Sequence, residues 1–126
     1  MFKNPEELKY TKTHEWVKEE EGLYVVGLTD FAQDSLGDIV FVNLPEVGDE
    51  ITAGAAFGDV ESVKAVSDVF SPVTGKVAAV NDAVLDNPAL VNESCYEAWL
   101  VKVEEVTGTE ELLDSAAYEK VCEEEA

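Results

Sequence analysis

From Thr13 to Val106 the chain is cut into short runs rich in β-branched and aromatic residues, each closed by Gly, Pro, Asn or Asp. Runs so short and so numerous do not suit one open sheet. They suit antiparallel strands joined by turns and stacked as a sandwich or flattened barrel. THEWVKEEEGLYVVG (13–27) reads as a hairpin whose acidic turn is closed by Gly22. Thr29 then precedes DFAQDSLG, where a Thr cap, an acid in the first turn and an exit glycine predict a short helix over 29–36. Strands are expected in DIVFVNLP (38–45), AAFGDVES (55–62), VSDVFSPV (66–73), GKVAAVND (75–82), ALVNES (89–94) and WLVKVEEV (99–106), and a turn followed by a strand in VGDEITAG (47–54).

A shift of 38 residues lays GDIVFVN (37–43) on GKVAAVN (75–81), with Val47 on Leu85 and Asp49 on Asn87. The match is weak, but it points to two similar β halves. Beyond Thr107 the pattern becomes helical. Thr107 with Glu110 has capping-box spacing, and Leu113, Ala117 and Val121 share a helical face. The fold expected is therefore mainly β, with one domain over 1–126. Its β core spans about 10–106 and a C-terminal helix about 109–124, whose acidic EEEA tail opposes the helix dipole and should fray.

Charge narrows the function. The 126 residues hold 28 acids against eight lysines and no arginine, a formal charge of −20, while 46% hydrophobic residues supply a core. Such a chain repels phosphate backbones and anionic membranes, so neither nucleic acid nor a membrane is an expected partner. It also lacks the bidentate arginine clamp of phosphate-handling enzymes. Cys95 and Cys122 are too few for a disulfide framework or metal cluster, and reduced thiols are expected. The start, MFKNPEELKYTK, has neither an apolar signal core nor a basic leader. A soluble bacterial cytoplasmic protein, or a processed form in the mitochondrial matrix, is expected.

No active site is legible. His14, in Thr13-His14-Glu15-Trp16, is the one histidine and reads as a packing residue. No nucleophile signature, phosphate loop or metal-ligand spacing accompanies it. Lys64 is different. In ESVKAVSD (61–68) it is the one base between Lys18 and Lys76, set between small apolar Val63 and Ala65 at a predicted hairpin tip. Asp59, Glu61 and Asp68 favour its cationic form without burying it. A solvated side chain is the plain reading of such a lysine; an amine displayed for covalent modification is the sharper one.

YTKTHEWV (10–17), GLTDFAQDSLGDIVFVNLPEVG (27–48), ESVKAVSDVFSPVTGKV (61–77), LVNES (90–94) and LLDSAAYEKV (112–121) together decide between the two. In these blocks, spread from about Leu8 to Glu123, the chain resembles the H proteins of the glycine cleavage system. The resemblance implies the barrel-sandwich hybrid fold of lipoyl and biotinyl domains, with lipoate in amide linkage on Lys64. It implies that Glu61 and Gly75 help the attaching lipoate ligase or octanoyl transferase to read the hairpin. It further implies a non-enzymatic carrier, which takes an aminomethyl group from a pyridoxal-phosphate glycine decarboxylase to a tetrahydrofolate-dependent aminomethyltransferase. Dihydrolipoyl dehydrogenase then reoxidises the arm. By the same resemblance Thr13, Glu15 and Asp68 clasp the ammonium head of the loaded arm.

A monomer is expected. H-like proteins that serve lipoate relay or another lipoyl-dependent system are the competing reading, and an unmodified acidic interaction domain is a second. One block departs from the family. Ser94-Cys95-Tyr96-Glu97-Ala98-Trp99 stands where members commonly read Pro-Tyr-Gly followed shortly by Gly-Trp. Glu97 and Ala98 lack glycine's access to positive φ, so this loop should run differently and alter docking near it.

Overall fold

The computed structural model describes residues 3–125. Met1 and Phe2, and Ala126 at the end of the EEEA tail, lie outside the described residues. Strands β1 (Lys9–Tyr10), β2 (Glu15–Glu20) and β3 (Leu23–Leu28) open the fold. Glu21 and Gly22, both at positive φ (53° and 82°), make the two-residue turn of the β2–β3 hairpin. Helix α1 (Asp30–Leu36) begins where the Ala32 N–H donates to Thr29 Oγ1 (3.2 Å). It ends at Gly37, φ 79°, whose N–H donates to the Gln33 carbonyl (3.0 Å). Both caps stand where the sequence places them.

Next come β4 (Ile39–Asn43), β5 (Glu50–Ile51), β6 (Ala56–Ser62), β7 (Val66–Phe70) and β8 (Val73–Val80). Two short helices, α2 (Asp82–Asp86) and α3 (Leu90–Glu93), lead to β9 (Val101–Thr109) and α4 (Ser115–Glu125). All pairings are antiparallel, in a six-stranded sheet ordered β1-β2-β3-β9-β8-β5 and a three-stranded sheet ordered β4-β6-β7. The sheets form a sandwich and do not close into a barrel. The repeat-related segments fall one in each sheet, in β4 and β8. Their likeness stops there, because Asp49 leads into a strand while Asn87 ends a helix.

Three apolar clusters hold these layers. Val17, Val26, Ile51, Val73, Val77, Val101 and Val103 pack on the inner side of the large sheet. Ile39, Val42, Val60 and Val69 of the small sheet pack with Leu28, Ala32, Val84, Val91 and Leu100, so α1, α2 and α3 close one end of the sandwich. Partly buried Phe57 touches both groups. Tyr10, Trp16, Val25 and Phe31 receive Tyr118 and Cys122 from α4. Valines dominate the first two groups, and removing a buried side chain of that size typically costs a few kcal/mol.

Several expectations are corrected. ALVNES is not a strand: Leu90–Glu93 is helical, with Val91 buried. A short apolar run does not reveal its period, and here Pro88 and Ala89 supply the carbonyls that start a turn. VGDEITAG, by contrast, is a turn and a strand as expected, the strand being the two residues of β5. Thr107 and Glu110 make no capping box, because β9 keeps pairing with β8 to Thr109 and Glu110 N–H donates to the Pro72 carbonyl (2.7 Å). Helix α4 starts later, where Ala117 N–H donates to Asp114 Oδ1 (2.8 Å). Leu113 precedes that helix and exchanges backbone hydrogen bonds with Tyr10 (2.7 and 2.8 Å). Helix α4 runs to Glu125, inside the tail expected to fray, and Glu125 Oε1 lies 3.0 Å from His14 Nε2.

Candidate functional site

Lys64 occupies the exposed turn between β6 and β7, as its neighbours predict. Ser62 builds that turn. Its hydroxyl accepts the N–H groups of Lys64 (3.1 Å) and Ala65 (3.2 Å), and its own N–H donates to the Ala65 carbonyl (2.8 Å). Val63 N–H donates to the Asp38 carbonyl (3.1 Å), tying the tip to the segment between α1 and β4. A Cβ built on Gly37 would lie 3.2 Å from Lys64 Cε, so the lysine stem runs beside the end of α1. Among the described residues no carboxylate forms an ion pair with the Lys64 amine. The root is fixed and the amine is free.

A cleft of about 200 Å³ opens next to that root. Leu36, the neighbour of Gly37, lines it, as do Leu28, Phe31 and Val60. Thr13, Glu15 and Asp68 line it too, so the Thr13–Glu15 pair and an acid far from it in sequence converge on one place. His14, at φ 73°, is the pivot of this wall. Positive φ is uncommon away from glycine and gathers at functional sites. Here it accompanies a contact between the side chains on either side, since Thr13 Oγ1 donates to Glu15 Oε1.

Among the described residues Glu15 is the one buried acid, 1% exposed. Its Oε1 also accepts from Thr11 Oγ1 (2.7 Å), and its Oε2 accepts the Phe70 N–H (3.3 Å). Burial pushes its carboxyl up to about 7, against the pull of the Thr11, Thr13 and Phe70 hydrogen bonds. At neutral pH such a group lies near the midpoint of its titration, and a cation entering the cleft favours its ionised form. Asp68, by contrast, is an exposed edge-strand residue at the rim.

Glu61 and Gly75 are not brought into this cleft. Glu61 lies in β6 between Phe41 and Val66 of the neighbouring strands. Gly75 lies in β8, in the other sheet, beside Ile51. A Cβ there would come within 2.7 Å of the Glu104 carbonyl oxygen and of Val103 Cγ1, which is reason enough for a glycine. Sequence reading missed the polar network behind His14. Its Nδ1 pairs with Tyr118 OH (2.7 Å), which pairs with Thr29 Oγ1 (2.6 Å), and its ring stacks on Phe31 at 4.5 Å. His14 is thus a packing residue, as expected, and also part of the cleft wall with Glu125. No local signal links residues 104 positions apart. The departing loop is anchored from both sides: Trp16 Nε1 donates to the Cys95 carbonyl (3.0 Å), and Tyr96 OH accepts from the Asp30 N–H (3.1 Å). Burial pushes the Cys95 thiol up to about 12, far from a reactive thiolate.

Among the described residues there is no group of three or more metal-binding side chains, and no helix is long and apolar enough to cross a membrane. An antiparallel sandwich of this build, with one lysine at a hairpin tip, is a lipoyl-domain-like carrier fold. Its nearer kinship is specific. The family model described as Glycine cleavage H-protein matches residues 8–125, and the chain belongs to that family of lipoyl carriers in glycine cleavage. A glycine cleavage system H protein from Listeria monocytogenes (serotype 4a, strain HCC23) is 56% identical over 122 residues, covering 94% of this chain and 98% of the relative. One from Carboxydothermus hydrogenoformans is 55% identical over 124 residues, covering 96% and 95%. The crystal structure of a glycine cleavage system H protein from Mycobacterium marinum superposes with a TM-score of 0.87 at 41% identity, covering 92% of this chain and 96% of that one.

Proposed function

We propose that Lys64 carries lipoate in amide linkage, and that this single carrier domain moves the aminomethyl group of glycine between enzymes. The donor is the pyridoxal-phosphate glycine decarboxylase and the acceptor the tetrahydrofolate-dependent aminomethyltransferase; dihydrolipoyl dehydrogenase restores the arm. One observation carries the reading: the cleft that gathers Thr13, Glu15 and Asp68 begins at Leu36, beside the Lys64 stem. The residues present suit the group. An apolar wall of Leu28, Phe31 and Val60 fits a hydrocarbon arm, and the acids fit an ammonium head.

The lipoyl group, when bound, supplies the disulfide–dithiol pair that carries cargo and electrons. The protein's own residues do the rest. The Ser62 turn and the Val63–Asp38 hydrogen bond fix the root, leaving a tether with an effective concentration on the order of millimolar. Thr13 and Thr11 orient Glu15, and its ionisation as a cation enters releases a proton to solvent. Asp68 closes the rim, and the apolar wall keeps water off the enclosed head. Glu61 and Gly75 serve the attaching lipoate ligase or octanoyl transferase, Glu61 by direct contact and Gly75 by holding β8 against β9. The protein works as a monomer in the bacterial cytoplasm.

Intact mass of protein from lipoate-replete cells tests the attachment. A lipoyl increment lost in Lys64→Arg is the expected result, and an increment that survives the substitution overturns it. Glycine–bicarbonate exchange with the decarboxylase separates glycine cleavage from lipoate relay. Loaded Glu15→Ala/Asp68→Ala protein should lose its cargo faster than wild type while still being lipoylated; equal decay removes the clasp.

A further inference from the structure

The outer face of the three-stranded sheet has a chemistry that the arm and cleft do not use. Ile39, Val42, Val60 and Val69 point inward, each at most 3% exposed. On the other side Phe41 pairs with Glu61 and Glu61 with Val66, a single row across β4, β6 and β7. A bulge between Ile39 and Phe41 leaves Val40 without a partner and exposes it next to Phe41. Val40 (56%), Phe41 (49%), Val63 (69%) and Val66 (63%) are four of the six exposed large hydrophobics among the described residues. Single exposed valines are ordinary; a concentration on one sheet and its hairpin is not.

The surrounding charge is one-sided. Segments 38–43 and 59–68 hold Asp38, Asp59, Glu61 and Asp68 against one base, Lys64. Asn43 Nδ2 donates to Asp59 Oδ1 (2.6 Å), holding that acid on the sheet face. A surface that fits here has an apolar centre and a rim of lysine or arginine.

We infer that the Phe41–Glu61–Val66 face is the docking surface for the acyltransferase that forms the amide at Lys64, which meets it with such an apolar, cation-rimmed patch. The inference rests on the reading of Lys64 as the lipoyl attachment point. That enzyme must hold the Lys64 amine against its acyl donor. The new C–N bond forms as the donor's activating group leaves with the electron pair and the ammonium gives up two protons. To reach Nζ it must cover Val63 and Val66, one and two residues away. Of the enzymes in that reading, it is the one whose chemistry takes place at Nζ itself.

The test uses full-length apo-protein with a lipoate–protein ligase, lipoate and ATP. Phe41→Gln and Val66→Thr, separately and together, should raise KM about tenfold or more in the double variant, with kcat close to wild type. Circular dichroism melts should be unchanged, and wild-type KM should rise with salt. Val47→Thr, an exposed valine off this sheet, should keep the wild-type KM. Wild-type KM in the double variant overturns the docking face, as does a loss confined to kcat. Wild-type self-association abolished by the same substitutions would make a second copy the occupant and also overturn it. Wild-type protein that takes no acyl group on Lys64 by mass overturns the attachment reading itself.

Discussion

Asn92 Nδ2 donates to the Gly37 carbonyl at 2.9 Å while Asn92 Oδ1 accepts the Ile39 N–H, also at 2.9 Å. A side chain from α3 thus staples both sides of Asp38, whose carbonyl accepts the Val63 N–H of the lysine turn. Asn92→Ala should cost about 1–3 kcal/mol by leaving partly buried backbone groups unpaired. Hydrogen exchange checks the route: protection of the Val63 amide should fall more than that of Val103 in the large sheet.

Glu15 makes stability depend on pH in a direction opposite to that of an ordinary salt-bridged acid. Its carboxyl titrates near 7 in the fold against an ordinary 4.5, so between these values the native state holds a proton that the unfolded chain has released. The stabilisation is complete below about 4.5 and is lost as pH rises through about 7. The window is worth on the order of 3 kcal/mol. Urea midpoints from pH 4.5 to 8 should therefore decline less in Glu15→Gln than in wild type, and parallel curves would contradict the buried acid.

Gly75 separates packing from recognition. Gly75→Ala drives a Cβ to 2.7 Å from the Glu104 carbonyl oxygen and should cost about 1–3 kcal/mol. Gly108→Ala, whose Cβ meets nothing within 4 Å, should stay within about 0.5 kcal/mol. Acylation rates corrected for folded fraction then show whether anything at Gly75 is read by the attaching enzyme.

Tyr118→Phe deletes the hydroxyl that joins Thr29 Oγ1 to His14 Nδ1 and leaves the ring stack on Tyr10 at 4.7 Å intact. A loss of about 1–2 kcal/mol in denaturant unfolding is expected. The helical signal of α4 should weaken before the β signal.

Local chemistry explains which parts of the fold were legible in the sequence. The turn at Gly22, the cap at Thr29 and the exit at Gly37 follow from backbone preferences that need no tertiary partner. The helix at Leu90–Glu93 and the late start of α4 do not, because one turn packed on a core and a strand prolonged by its neighbour are decided from outside the segment. The site divides the same way. Lys64 stands out through its isolation in an acidic chain, whereas the meeting of Glu15 with Asp68 depends on β2 and β7 belonging to different sheets. The resemblance supplied their association before geometry did. Ser62 and Asn92 were missed because serine-built turns and asparagine staples leave no periodic trace.

The position of β9 also dictates an order of assembly. It is the last strand in sequence but lies between β3 and β8, so the large sheet stays split until residues 101–109 have been made. The β4–β6–β7 sheet, confined to residues 39–70, needs only near neighbours in the chain. On a translating ribosome the lysine hairpin therefore emerges well before the wall that His14 and Glu125 build with α4. The attachment point is synthesised ahead of the shelter for its cargo.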